Sequence, residues 1–294
     1  MLARIKRVFR YFSIISGQIF SSPVYWTMCI LFVLLGVCGA DVRYGMEKYT
    51  LIEVLFDNNM YTARYDDIAF CANTLFQNYD SFEWFSVILP VITAFPFYRV
   101  YITQTTAVRY QYWSRLSVAE YTFTQFLGGF VSGFSVALCG LIFYGGLVFL
   151  LFPDMSAYDE DVMAYIVLPS ERIIGKMLNC CLASGVFPIL SIVLHRFVRD
   201  DFLAMTIPMM FQYLSIKIDG LIAFAMYDPI TFEPDTALGV LSALMPSNCL
   251  NHWSVWESLL ATVVPIGLIV LAAVLLVLYL ALVFIIRHSI RSGS

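Results

Sequence analysis

Six stretches of this chain are too long and too apolar to be left in water. They run roughly over Val24–Ala40, Phe82–Ile102, Tyr121–Phe152, Ile173–Phe197, Phe202–Met226 and Leu259–Ile286. A helix needs about 20 apolar residues, at about 1.5 Å each, to cross a bilayer core. Composition agrees, because the 294 residues are 60% hydrophobic and 13% charged. A soluble domain carries about 45–50% apolar and about 25% charged residues, so lipid is the expected solvent. The expectation is an all-α integral membrane protein with six spans, read as a single transmembrane domain over residues 1–294. The first long apolar run starts near Val24 without a convincing cleavage site, so it reads as a retained span.

Charge orients the runs. Arg4, Lys6, Arg7 and Arg10 precede the first, and Arg99, Arg109 and Arg115 follow the second. Arg196 and Arg199 separate the fourth from the fifth, and Arg287 and Arg291 follow the last. The intervening segments, Asp41 to Glu83, Asp154 to Glu171 and Asp228 to Glu257, are acidic. Basic flanks face the cytoplasm, which predicts both termini inside and a multi-pass plasma-membrane location. The five tryptophans, Trp26, Trp84, Trp113, Trp253 and Trp256, fall at or beyond run ends, as interfacial aromatics do.

Local features follow from spacing. Ile5, Val8, Phe9, Phe12 and Ile15 alternate with basic residues at helical period, predicting an amphipathic helix lying in the interface. It serves either as an anchor or as a contact surface for a partner. Leu51–Phe56 and Ile68–Phe76 read as short outer helices, and Thr236–Met245 with residues 249–258 as interfacial or re-entrant ones. The third run exceeds a bilayer core, so it must tilt, protrude, or break near Gly128-Gly129 or Gly145-Gly146. Pro90, Pro188 and Pro265 are expected to kink the second, fourth and sixth runs.

Catalytic patterns are missing. Gly175-Lys176 lacks both the upstream glycine and the following Ser/Thr of a nucleotide-binding loop. There is no H-E-x-x-H zinc pattern, and His195, His252 and His288 lie near run ends or in loops. Ser135 has no intramembrane histidine to act as base, and Asp219 has no second aspartate at depth. The reading is not an enzyme, with no cofactor or metal in the chain and no nucleic acid as partner. Lys217 and Asp219 lie about 22–25 Å along the fifth run and are suspects for a substrate path. Lys217 reads equally as a side chain snorkelling to outer headgroups. Gly129, Gly133 and Ala137 form a small-residue stripe for close helix packing, within the chain or across a dimer. Of the seven cysteines, Cys71 and Cys249 fall in outer loops where a disulfide is chemically allowed, and Cys180-Cys181 read as apolar fillers.

The polar segment Tyr98–Glu120, with Arg99, Arg109, Tyr112, Trp113, Arg115 and Glu120, reads as a short helix on the inner face. It is either an interfacial anchor or a docking surface for a soluble subunit. Around it, Trp84–Gly133 resembles the ABC-2 type family of transporter permeases. The resemblance rests on Pro90 within the second span, Arg115 in the cytoplasmic segment, Tyr121 opening the third span, and the glycines from Gly128. Gln104 or Thr105, and Gln125, stand where that family often carries an acidic residue and a lysine. The amphipathic start, six spans and broken outer segment also match the family layout. The resemblance implies the membrane half of an exporter, paired with a second permease chain, alike or different. A separate cytoplasmic ABC ATPase, holding ATP and Mg, would power it. The amphipathic start and Tyr98–Glu120 would be the coupling surfaces. Aromatic-rich spans with few buried charges suit an amphipathic cargo such as a peptide or lipid-like molecule. Two other readings stay open. One is a membrane sensor or scaffold that binds a ligand through its outer loops. The lower-ranked one is a secondary transporter, which would normally show internal repeats and several ionisable groups at the midplane.

Overall fold

The computed structural model describes residues 2–39, 42–44, 47–56, 76, 83–104, 115–152, 170–198, 200–226 and 266–292. Helix α1 spans Leu2–Phe20 and α2 spans Pro23–Gly39. A small antiparallel pair follows, β1 (Val42–Tyr44) and β2 (Glu47–Tyr49), then the single-turn-scale helix α3 (Leu51–Phe56). The long helices α4 (Glu83–Thr103), α5 (Val118–Leu151), α6 (Ser170–Val198), α7 (Asp201–Met226) and α8 (Ile266–Ser292) complete the described fold.

Each apolar run contains one of the helices α2 and α4–α8. Three segments, Trp84–Thr103, Val118–Leu151 and Cys180–Val198, are long and apolar enough to cross a membrane. The bent pair Ile5–Phe20 and Pro23–Gly39, meeting at 62°, qualifies as a fourth if taken as one span. Ala272–His288 is apolar but shorter. Among the described residues there are thus three to four candidate spans, which points to a membrane-embedded, helical chain.

α5 is the axle of the bundle. It packs against α1, α2, α4, α6 and α8, while α4 bridges α2, α6 and α7. Its 34 residues form one unbroken helix, about 51 Å long at 1.5 Å per residue. Neither glycine pair interrupts it, so of the three expected accommodations breakage does not occur. Glycine instead lets neighbours approach. A Cβ on Gly129 would lie 3.0 Å from the Phe97 ring of α4 and 3.3 Å from Ile189 of α6. One on Gly133 would strike the Ser184 carbonyl, and one on Gly140 the Phe32 ring of α2. The contact is reciprocal, because a Cβ on Gly185 of α6 would lie 2.7 Å from the Phe130 ring of α5. Side chain seats against bare backbone from both directions, which is how helices pack closely where lipid supplies no hydrophobic drive. Ala137 is fully buried on the same helix.

The outward surface is apolar. Phe143, Phe149, Met210, Phe211, Leu214 and Leu276 are all exposed, an arrangement that water would penalise and acyl chains accept. Trp26 and Trp84 are exposed at helix ends, and the Trp26 indole donates to the Phe20 carbonyl at 3.0 Å.

The described fold is helical as expected, and one small hairpin stands beside the helices after α2, pairing Val42↔Tyr49, Arg43↔Lys48 and Tyr44↔Glu47. β-branched and aromatic residues around a glycine favour that conformation over a coil. The last helix is described from Ile266, and Pro265 lies outside the described residues. Pro90, Pro96, Pro188 and Pro208 do lie inside helices. The Thr93 hydroxyl donates to the Leu89 carbonyl at 2.9 Å beside Pro90, where proline supplies no N–H to the ladder. α3 has the predicted bounds, and Thr50 and Glu53 cap it reciprocally. Cys71, Cys249, most of Ile68–Phe76, and residues 227–265 lie outside the described residues.

Candidate functional site at the arginine-rich end

The end of α4, the start of α5, the end of α6 and the start of α7 meet at one end of the bundle. Two sets of contacts establish this. The Arg7 guanidinium of α1 donates to the Arg115 carbonyl, just before α5, at 3.5 Å. Ile15 of α1 and Phe97 of α4 both close over Gly128 of α5.

The second set joins three helices through one cluster of polar side chains. Tyr98 of α4 is 1% exposed and directs its hydroxyl toward the turn between α6 and α7. There it donates to Asp201 Oδ1 at 3.1 Å and lies 2.9 Å from His195 Nδ1. His195 Nδ1 and Asp201 Oδ1 are themselves 3.2 Å apart. A hydroxyl has one proton. If it goes to the aspartate, Nδ1 must carry hydrogen and donate to the hydroxyl oxygen or the carboxylate. The His195 ring also stands edge-on to Tyr98, with centroids 5.7 Å apart. Next to this clasp, Asp200 caps α7, its carboxylate accepting from Leu203 N at 2.9 Å.

The predicted contact residues divide. Arg99 and Arg115 are exposed at this end and available to a partner. Arg109, Tyr112 and Trp113 lie outside the described residues. The Glu120 carboxylate accepts from the Ser117 amide at 2.9 Å, while the Ser117 hydroxyl accepts from the Glu120 amide at 3.3 Å. This is a capping box, so Glu120 starts α5. The S-x-x-E spacing at 117–120 carried that signal. No comparable sequence signal marks Tyr98, His195 and Asp201, which are remote in sequence.

Lys217 and Asp219 lie on α7 away from the clasp. Lys217 is exposed, with Nζ 5.5 Å from the centre of the Tyr213 ring, and Asp219 is half-buried. Gly129 and Gly133 pack inside the chain as described above. The interior contains a set of polar side chains that sequence reading passed over. Gln125, Ser132, Ser184, Ser191 and Gln212 are buried and carry side-chain polar atoms without a hydrogen-bond partner among the described residues. Gln125 and Ser132 lie on α5, and Ser184 and Ser191 on α6, the closely packed pair. Buried amides and hydroxyls cost free energy when unpaired, so these positions are set apart from the apolar interior around them. No family model, curated protein or solved structure matches the chain.

Proposed function

We propose that this chain is the membrane-spanning permease subunit of an ATP-driven ABC exporter, with an amphipathic peptide or lipid-like cargo. In this reading α2 and α4–α8 are six spans with both termini in the cytoplasm of a plasma-membrane protein. The arginine-rich end faces inward. A cytoplasmic ATPase carrying ATP and Mg docks there, and a second permease chain completes the path.

The observation that carries the reading is the convergence of the two coupling elements. Arg7 of the amphipathic helix reaches the Arg115 carbonyl at the start of α5. A push on the segment before α5 therefore meets a braced structure. α5 touches five other helices, so displacing its first turn displaces the centre of the bundle. The buried polar seam between α5 and α6 is where such a shift would exchange one set of packed neighbours for another. Exposed Arg99 and Arg115 supply the charge for docking.

The test is purification from native membranes in mild detergent, followed by identification of co-purifying chains and an ATPase assay. A co-purifying P-loop ATPase, released by Arg99→Glu with Arg115→Glu, supports the reading. Absence of any ATPase under conditions that preserve other membrane complexes defeats it, and a co-purifying kinase or regulator would favour the sensor reading.

A further inference from the structure

Helix α1 divides its circumference into three sectors. Ile15 and Ile19 are buried against the bundle. Adjoining them, Ile5, Phe9 and Phe20 project outward, Phe9 with 62% of its surface exposed. On the remaining side Lys6, Arg7 and Arg10 are exposed. The helical repeat produces this order from the sequence alone, because residues 5, 9 and 20 fall on one arc and 6 and 10 on the next. Residues 1–40 contain no aspartate or glutamate. The helix also leaves the direction of α2 by 62°, so where α2 crosses a membrane α1 runs closer to its plane.

We propose that the exposed side of α1 binds anionic phospholipid headgroups at the arginine-rich end of the bundle. The argument is the adjacency of the sectors. The apolar arc lies between the buried arc and the basic arc, so it sinks into acyl chains at the depth where the cations meet phosphate. A soluble acidic protein would match the cations and leave Phe9 and Phe20 in water. Neutral lipid would cover the phenylalanines and leave the cations without counter-charge. Only an anionic lipid surface satisfies both. Arg7 belongs to both contacts, since it also donates to the Arg115 carbonyl. Headgroup charge therefore bears on how α1 is held against the start of α5.

The experiment uses the purified full chain in detergent, with native mass spectrometry after equilibration with phosphatidylglycerol or phosphatidylcholine. Wild type should retain phosphatidylglycerol preferentially. Lys6→Gln, Arg7→Gln and Arg10→Gln combined should lower that preference, by about fivefold per cation removed, without changing helix content or elution. Replacing the two arginines by lysine should preserve it. Raising salt on wild type should erode it, which decides the matter even where the triple variant fails to fold. Equal retention of both lipids by wild type overturns the proposal, as does a preference insensitive to salt. Loss of a co-purifying protein from the triple variant with its lipid preference intact also overturns it, because the sector then serves a protein partner.

Discussion

Replacing Tyr98 by phenylalanine should loosen the arginine-rich end without disturbing the core. Phenylalanine keeps the buried ring and its edge contact to His195, and removes only the hydroxyl that joins α4 to the turn between α6 and α7. A hydrogen bond to a charged group contributes about 1.5–3 kcal/mol. Asp201 is 59% exposed, so water replaces part of what is lost. His195 and Asp201 also keep their own contact at 3.2 Å. The expected cost therefore falls below that range, at about 1 kcal/mol. In a thermal melt of the detergent-purified chain this corresponds to a drop of about 2–4 °C by the scaling of large domains. The sharper assay is a double-mutant cycle with Asp201→Asn. Asp201 sits in the first turn of α7, where its charge also favours the helix dipole, and the cycle subtracts that contribution. A coupling of about 1 kcal/mol is expected. Coupling below about 0.3 kcal/mol would mean the two side chains act independently, and the clasp would be refuted.

Other outcomes follow from the same packing. Gly133→Val places a branched side chain against the Ser184 carbonyl and should cost at least about 1–3 kcal/mol, read as lost thermal stability and aggregation on size exclusion. Gly146→Ala is its control, because a Cβ there meets nothing within 4 Å, and it should be neutral or stabilising by up to about 1 kcal/mol. Equal destabilisation by both would refute the packing account. Ser117→Ala removes the cap of α5 and should cost about 1 kcal/mol, with slower-exchanging amides in the first turn becoming faster by hydrogen–deuterium exchange. Unchanged exchange there would show that tertiary contacts alone hold the helix start.

The positions of the helices were legible because lipid imposes a blunt rule. A segment of Val, Leu, Ile and Phe about 20 residues long has few alternatives, so α2 and α4–α8 fall within a few residues of their apolar runs. α3 was legible for a different reason, since Thr50 and Glu53 bracket its first turn with a reciprocal cap. The hairpin at Val42–Tyr49 was not read. Its strands are three residues each, too short for alternation to register.

The site was harder to read because its parts report on different distances. Arginine clusters and the Ser117–Glu120 spacing are local, and they fall at one end of the bundle. Their contacts are not all local. Glu120, expected as a docking charge, also closes the cap of α5, and Arg115 supplies a backbone carbonyl to Arg7 in addition to its own exposed charge. Tyr98 is separated from His195 and Asp201 by an entire helical hairpin, and its hydroxyl finds them only because glycines let α4, α5 and α6 draw together. Gly129 admits the Phe97 ring, and Phe97 precedes Tyr98 in the same helix. A bulkier residue at 129 would push α4 outward and carry the tyrosine away from its partners. The small-residue stripe and the polar clasp are thus one device read twice. That argument makes Gly129→Val a test of both, for it should lower stability by more than Tyr98→Phe and abolish the Tyr98–Asp201 coupling in the same cycle. Persistence of the coupling in the Gly129→Val background would show that the clasp is held independently of the stripe.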